Sequence, residues 1–115
     1  MSNSDNKFEI IDPRGILVFC SNNQWNDHIS ALHPEIKDNP DLVINTIKDP
    51  VVIYQSQDHY DRDAYFKEYS LNTGEYIKVV VEIKNNFGDV ITAFPVNDIK
   101  GNINKEELRY AKPQL

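Results

Sequence analysis

Tyr76-Ile77-Lys78-Val79-Val80-Val81-Glu82-Ile83-Lys84 alternates in polarity, and that alternation decides the fold class. Ile77, Val79, Val81 and Ile83 fall on one face of an extended chain, and Lys78, Val80 and Glu82 on the other. Working outward, Asn85-Asn86-Phe87-Gly88-Asp89 is turn chemistry leading into a strand over 90–94. Residues 64–70 alternate too, placing Tyr65, Lys67 and Tyr69 on one face, and 51–55 is short and β-branched. Near the start, Phe8 to Cys20 reads as two short strands around a turn in which Pro13 presets φ and Gly15 permits a positive φ.

Helical spacing is confined to the interval between these strands. Trp25, His28, Ile29 and Leu32 lie at i, i+3, i+4 and i+7, one face of a helix that Asn22, Asn23 or Asn26 caps. Pro34 disfavours helical backbone at His33, so the helix is expected to end or kink there. A second helix is expected over 41–48, with Pro40 in its first turn, Leu42, Val43 and Ile47 as buried contacts, and Asp49-Pro50 as its stop. Strands grouped after helices predict an α+β fold: helices packed on one face of a curved antiparallel β-sheet of about four strands, preceded by a short N-terminal hairpin. Residues 1–7 are expected to form a disordered polar tail, and 8–115 a single domain.

The 115 residues carry 12 basic and 18 acidic side chains, a net charge of −6, which argues against coating duplex DNA by charge alone. A small RNA site built from a few placed residues stays compatible with that balance. Residues 1–60 hold a balance of −5 and residues 61–115 one of −1, so an anion site is expected on the sheet half, among Arg62, Lys67, Lys78, Lys84 and Lys100. Cys20 stands alone, which excludes an internal disulfide and a four-thiolate zinc site. With no run of about 18 apolar residues, no membrane association is expected, and cytoplasmic is the default location.

No glycine-rich phosphate loop, H-E-x-x-H pair or calcium loop is present. His28 and His33 would stand roughly 140° apart on a regular helix, so neither a metal nor another cofactor is expected. His28, among Trp25, Ile29 and Leu32, fits either a tuned acid–base group or a semi-buried histidine bonded to a backbone carbonyl. His33-Pro34-Glu35 offers a second acid–base pair, or a helix-ending turn with a local hydrogen bond. Arg62 and Tyr65 suit a phosphate, by guanidinium fork and hydroxyl, with nearby aromatic rings able to stack bases. Alternatively Arg62 pairs with Asp58, Asp61 or Asp63. Thr92, inside an apolar strand, is a strand-former or a polar contact, and Lys100 is a solvated loop lysine unless a site recruits it.

The order of landmarks adds to this reading. Asp12-Pro13-x-Gly15, Trp25-x-x-His28-Ile29, His33-Pro34-Glu35, Ile47-x-x-Pro50, Arg62-x-x-Tyr65, Val79-Val80-Val81, Gly88-x-Val90-Ile91-Thr92-Ala93-Phe94 and Ile99-Lys100-Gly101 follow one another. The series resembles the phage-type barnase–EndoU–colicin–RelE-like nuclease domains over about residues 8–103. That resemblance implies helices on a curved antiparallel sheet and metal-independent RNA cleavage, in which the ribose 2′-hydroxyl attacks the adjacent phosphate. It implies His28, Arg62 and Thr92 as the catalytic set, with His33, Glu35, Tyr65 and Lys100 as secondary candidates and Trp25, Tyr69 and Lys78 as substrate contacts. The implied partners are RNA, with tRNA as one candidate, and a cognate antitoxin protein. The competing expectation is a non-catalytic interaction module on the same fold that binds a protein, favoured by the net charge, by Gln24 and by the aspartates around Arg62.

Overall fold

The computed structural model describes residues 6–57, 59–71 and 74–113, with backbone only at Glu35, Ser70, Leu71, Gly74, Glu75 and Asn102. Seven strands form one sheet: β1 (Asn6–Ile11), β2 (Leu17–Ser21), β3 (Val52–Ser56), β4 (Arg62–Leu71), β5 (Gly74–Lys84), β6 (Phe87–Val96) and β7 (Ile103–Ala111). Their order across the sheet is β1-β2-β6-β5-β4-β3-β7. Every neighbouring pair is antiparallel except β2 and β6, which run parallel over three register pairs, Leu17–Phe87, Val18–Gly88 and Phe19–Asp89. Two short helices follow β2: α1 over 22–32, whose centre Trp25–Ile29 is π-helical, and α2 (Pro40–Lys48).

This architecture corrects the expected helices on a four-stranded antiparallel sheet. Of the described residues 53 % are in strands and 24 % in helices, so this is a mostly-sheet, mixed fold. Two causes account for the difference. The N-terminal hairpin does not stand apart from the sheet, because Gly88 leaves room for β2 to dock beside β6. A Cβ at Gly88 would lie 2.7 Å from Val81 Cγ1 and 2.9 Å from Val18 Cγ2, inside van der Waals contact. The second cause is β7, whose Asn104-Lys105-Glu106-Glu107-Leu108-Arg109 shows no alternation because it is a largely exposed edge strand. Its register on β3 is also interrupted between Ile53 and Tyr54 and again before Ser56, and such irregularities twist an edge away from further pairing.

Asn6 and Lys7, expected in a disordered tail, belong instead to β1, and the rest of that expectation, residues 1–5, lies outside the described residues. Gly15 does take a positive φ of 90° in the β1–β2 turn, and Asn85 and Asn86 take φ of 55° and 67° in the two-residue β5–β6 turn. Both φ values are positive there, as a turn matching the right-handed strand twist requires.

The main core lies between the helices and one face of the sheet. Trp25, Ile29, Ile36, Val43 and Ile47 pack against Val18, Ile53, Tyr65, Ile77, Val79, Val81 and Val90, all at most 2 % exposed. Leu32 is 60 % exposed and leaves the expected helix face. The i→i+5 bonding at Trp25–Ile29 rotates later residues out of the 3.6-residue phase. The face of the sheet away from the helices, called the outer face below, carries a smaller cluster of Ala64, Phe66 and Ile103, with Val96 and Ile99 packed against it. No helix among the described residues is long and apolar enough to cross a membrane.

Candidate functional site

Register places the sequence candidates on two sides of the sheet. Along β4, Arg62, Ala64 and Phe66 point to the outer face, whereas Asp63 and Tyr65 point to the helices. Three cross-strand rows then run over the outer face: Arg62–Glu82–Asp89, Ala64–Val80–Thr92 and Phe66–Lys78–Phe94. Thr92 reaches this face because the β5–β6 register shifts between Val80 and Val81, which displaces Ile91. With strands about 4.8 Å apart and two residues rising about 6.8 Å, Thr92 stands roughly 8 Å from Lys78 and 12 Å from Arg62 between Cα atoms. This spacing suits an extended polyanion better than a small enclosed molecule.

His33 joins the outer face from the edge of the sheet. Its imidazole stacks on the Phe94 ring at 5.0 Å between centroids, with planes 23° apart. The Lys78 ammonium lies 5.6 Å from the centroid of the same ring, although the residue is only 5 % exposed. Arg62 is half-buried. Among the described residues it has no ion pair, and its Nε is buried without a hydrogen-bond partner. Asp63 does not neutralise it, since that carboxylate meets Arg14 at 2.9 Å and Arg109 at 3.5 Å on the opposite face. Asp58 lies outside the described residues. Burial, then the neighbouring Glu82 carboxylate, pushes the Asp89 carboxyl above its ordinary range.

The remaining candidates are elsewhere. Trp25 is 2 % exposed and packs edge-on against Phe8 at 6.4 Å, so it presents no ring to a base. Tyr69 packs against the helix-side core. His28 is half-buried in α1, between the core residues Trp25 and Ile29. Lys100 is exposed on the turn Lys100–Asn102, past the 230 Å³ concavity lined by Phe66, Lys78, Val96, Asn97, Asp98 and Ile99. The Glu35 side chain lies outside the described set. No three His, Cys, Asp or Glu side chains among the described residues come together to hold a metal ion.

Tyr65 belongs to a different constellation, which the sequence did not disclose. Its hydroxyl donates to Asp12 Oδ2 at 2.6 Å and accepts from Arg14 Nη2 at 3.0 Å. Arg14 also donates from Nε to Asp12 Oδ2 at 3.0 Å and from Nη1 to Asp63 Oδ2 at 2.9 Å. Asp12 Oδ1 accepts the backbone N–H groups of Arg14 and Ile16 at 2.8 and 2.9 Å. The guanidinium fork thus ties the β1–β2 turn to β4. Two carboxylates and a phenol saturate it, so it is a structural clamp and not an anion site. Odd spacing was the available signal, because residues 62 and 65 of one strand cannot share a face.

Cys20 is buried, and burial, then Asp89, pushes its thiol up to about 12, which leaves no nucleophilic thiolate. Comparisons of the chain with family models, curated proteins and solved structures returned no match.

Proposed function

We propose that the outer face holds the phosphate backbone of RNA and cleaves it by attack of the 2′-hydroxyl on the adjacent phosphate. The observation that carries this reading is Arg62, a half-buried guanidinium with no ion pair among the described residues and a buried, unpartnered Nε. A buried donor left unsatisfied costs about 1–3 kcal/mol, and a phosphate oxygen removes that cost with a charge-assisted hydrogen bond. Lys78 and Thr92 continue the polar path along the face. The Phe94 ring fixes His33 at its border, where an imidazole can take the 2′-hydroxyl proton or return one to the leaving 5′-oxygen. The proton-transfer role passes from His28 to His33 because His28 sits between residues that pack into the helix-side core. An enzyme of this kind requires neutralisation in its own cell, so an antitoxin protein is part of the proposal.

The test is incubation of the protein with total bacterial RNA in EDTA, with mapping of fragment ends. Wild type should yield discrete products ending in 2′,3′-cyclic phosphate. His33→Ala should lose about 10²-fold or more in rate, Arg62→Ala should lose rate through weaker RNA binding, and His28→Ala should retain both. Intact RNA with folded wild-type protein refutes cleavage. It would favour the non-catalytic protein-binding reading, for which the acidic side chains beside Arg62 speak.

A further inference from the structure

The end of the outer face opposite Lys78 has a different character. Ile11, Leu17 and Phe87 are register partners across β1, β2 and β6, and they form one apolar row. Ile11 is 59 % exposed and Phe87 53 %, two of the five exposed large hydrophobic side chains among the described residues. The next row reads Glu9–Phe19–Asp89–Glu82 across four strands. Phe19 and Phe87 wall a concavity of about 370 Å³ whose polar lining includes Glu82, Lys84 and Asp89. An apolar row beside three carboxylates is thus built by strand register alone. Neighbouring side chains in such rows stand about 5 Å apart.

We propose that this corner is a docking surface for a protein partner that presents arginine beside a bulky apolar side chain. The apolar group lies along the Ile11–Leu17–Phe87 row, and the guanidinium enters the concavity between Phe19 and Phe87. Charge and shape select that occupant. Guanidinium is planar, stacks on aromatic faces and meets carboxylates through a fork, which the Phe19–Asp89–Glu82 row accommodates. A net charge of −6 favours encounter with a basic partner. Among the described residues, neither Arg62, which faces Glu82 across β4–β5, nor Lys84, which stands opposite Phe87, forms an ion pair with Asp89. Asp89 in particular is a half-buried carboxyl beside another carboxylate, a combination that an incoming cation relieves. Arg62 shares the Glu82–Asp89 row with this corner, whereas His33 and Lys78 lie at the other end of the face, so the docking surface stands whether or not RNA is cleaved there.

The experiment titrates the full chain, followed by backbone amide NMR, with a short peptide alternating leucine and arginine, and with the same peptide carrying glutamate for arginine. The proposal expects saturable shifts at Phe19, Phe87 and Asp89 with the arginine peptide only. Glu82→Gln combined with Asp89→Asn, and separately Phe87→Ser, should each weaken binding at least tenfold. Phe87 is exposed, so its variant should retain the wild-type amide spectrum and separates lost binding from lost folding. Shifts spread over the whole surface, equal binding of the glutamate peptide, or unchanged affinity in both variants would overturn the assignment. So would concentration-dependent shifts of the same amides without peptide, which would make a second copy the occupant.

Discussion

Replacing Tyr65 by Phe removes one oxygen from the clamp at the β1–β2 turn and little else. Tyr65 is 0 % exposed, and its ring lies in the core, so the substitution conserves packing. It deletes the 2.6 Å bond to Asp12 and the 3.0 Å bond from Arg14, both to charged partners. Hydrogen bonds to charged groups contribute about 1.5–3 kcal/mol each. Neither partner is orphaned, however, because Arg14 still reaches Asp12 at 3.0 Å and Asp63 at 2.9 Å. A loss of about 2 kcal/mol is therefore expected, a sizeable part of the ~5–15 kcal/mol available to a domain. In urea at pH 7 the midpoint should fall by about 1 M. The clamp also predicts a pH signature. Burial, then the Asp12 carboxylate, holds the Tyr65 phenol above its ordinary value, so the folded chain retains a proton that the unfolded chain releases. That contribution is complete below the unfolded value of about 10 and is lost as pH rises beyond it, so the gap between wild type and variant should narrow there. A loss below about 0.5 kcal/mol, or the same loss in an Arg14→Lys background, would refute the reasoning, since coupled groups must be non-additive.

Gly88→Ala should destabilise by about 1–3 kcal/mol in chemical unfolding, because its Cβ collides with Val81 and Val18 at the β2–β6 junction. Asp89→Asn should leave the protein as stable or slightly more so at pH 7, by up to about 0.5 kcal/mol after allowance for solvent screening. Its carboxyl is raised by burial and Glu82, so wild type gains stability as pH falls towards about 4, and the two unfolding curves should converge there. Arg62→Ala should leave the fold as stable or more so, because relief of an unsatisfied donor that costs about 1–3 kcal/mol offsets the lost packing of its alkyl stem, while retention on immobilised RNA falls at least tenfold. A large stability loss would show that Arg62 is a structural residue instead.

Local pattern was legible where one face of an element is buried and the other is not. The alternation at 76–84 located β5 and assigned Ile77, Val79 and Val81 correctly to the core. Pro13, Gly15 and Pro34 marked real turns and a real helix end, since each acts through its own backbone. What stayed hidden depends on partners distant in the chain. Nothing in Leu17–Ser21 states that it runs parallel to β6, and nothing in Ile103–Ala111 states that it is a strand, because an exposed edge strand buries few residues. The site was hidden for the same reason. Arg62, Thr92, Lys78 and His33 were each visible as residue types, but only register puts the first three on one face and sends Tyr65 to the other. Phe94, which holds His33, and the Glu82–Asp89 pair carried no signal apart from their neighbours.

The direction of β2 explains how the imidazole reaches that face. The parallel ladder ends at Phe19–Asp89, while β6 continues to Val96. Its outer edge would then expose unpaired backbone groups, an invitation to unwanted strand pairing. Ser21 ends β2 by accepting the Gln24 N–H at 3.0 Å, and α1 begins at once. Because β2 runs with β6, α1 starts level with the uncovered part of that edge. The Gln24 side chain donates to the Ile91 carbonyl there, in place of the missing strand. At the far end His33 leaves the helix with φ of −131°, and its ring meets Phe94. An antiparallel β2 would have sent the helix towards Phe87, away from the Lys78–Thr92 end of the face. The parallel pair thus closes an open edge and carries the His33 imidazole to the Lys78 end of the sheet.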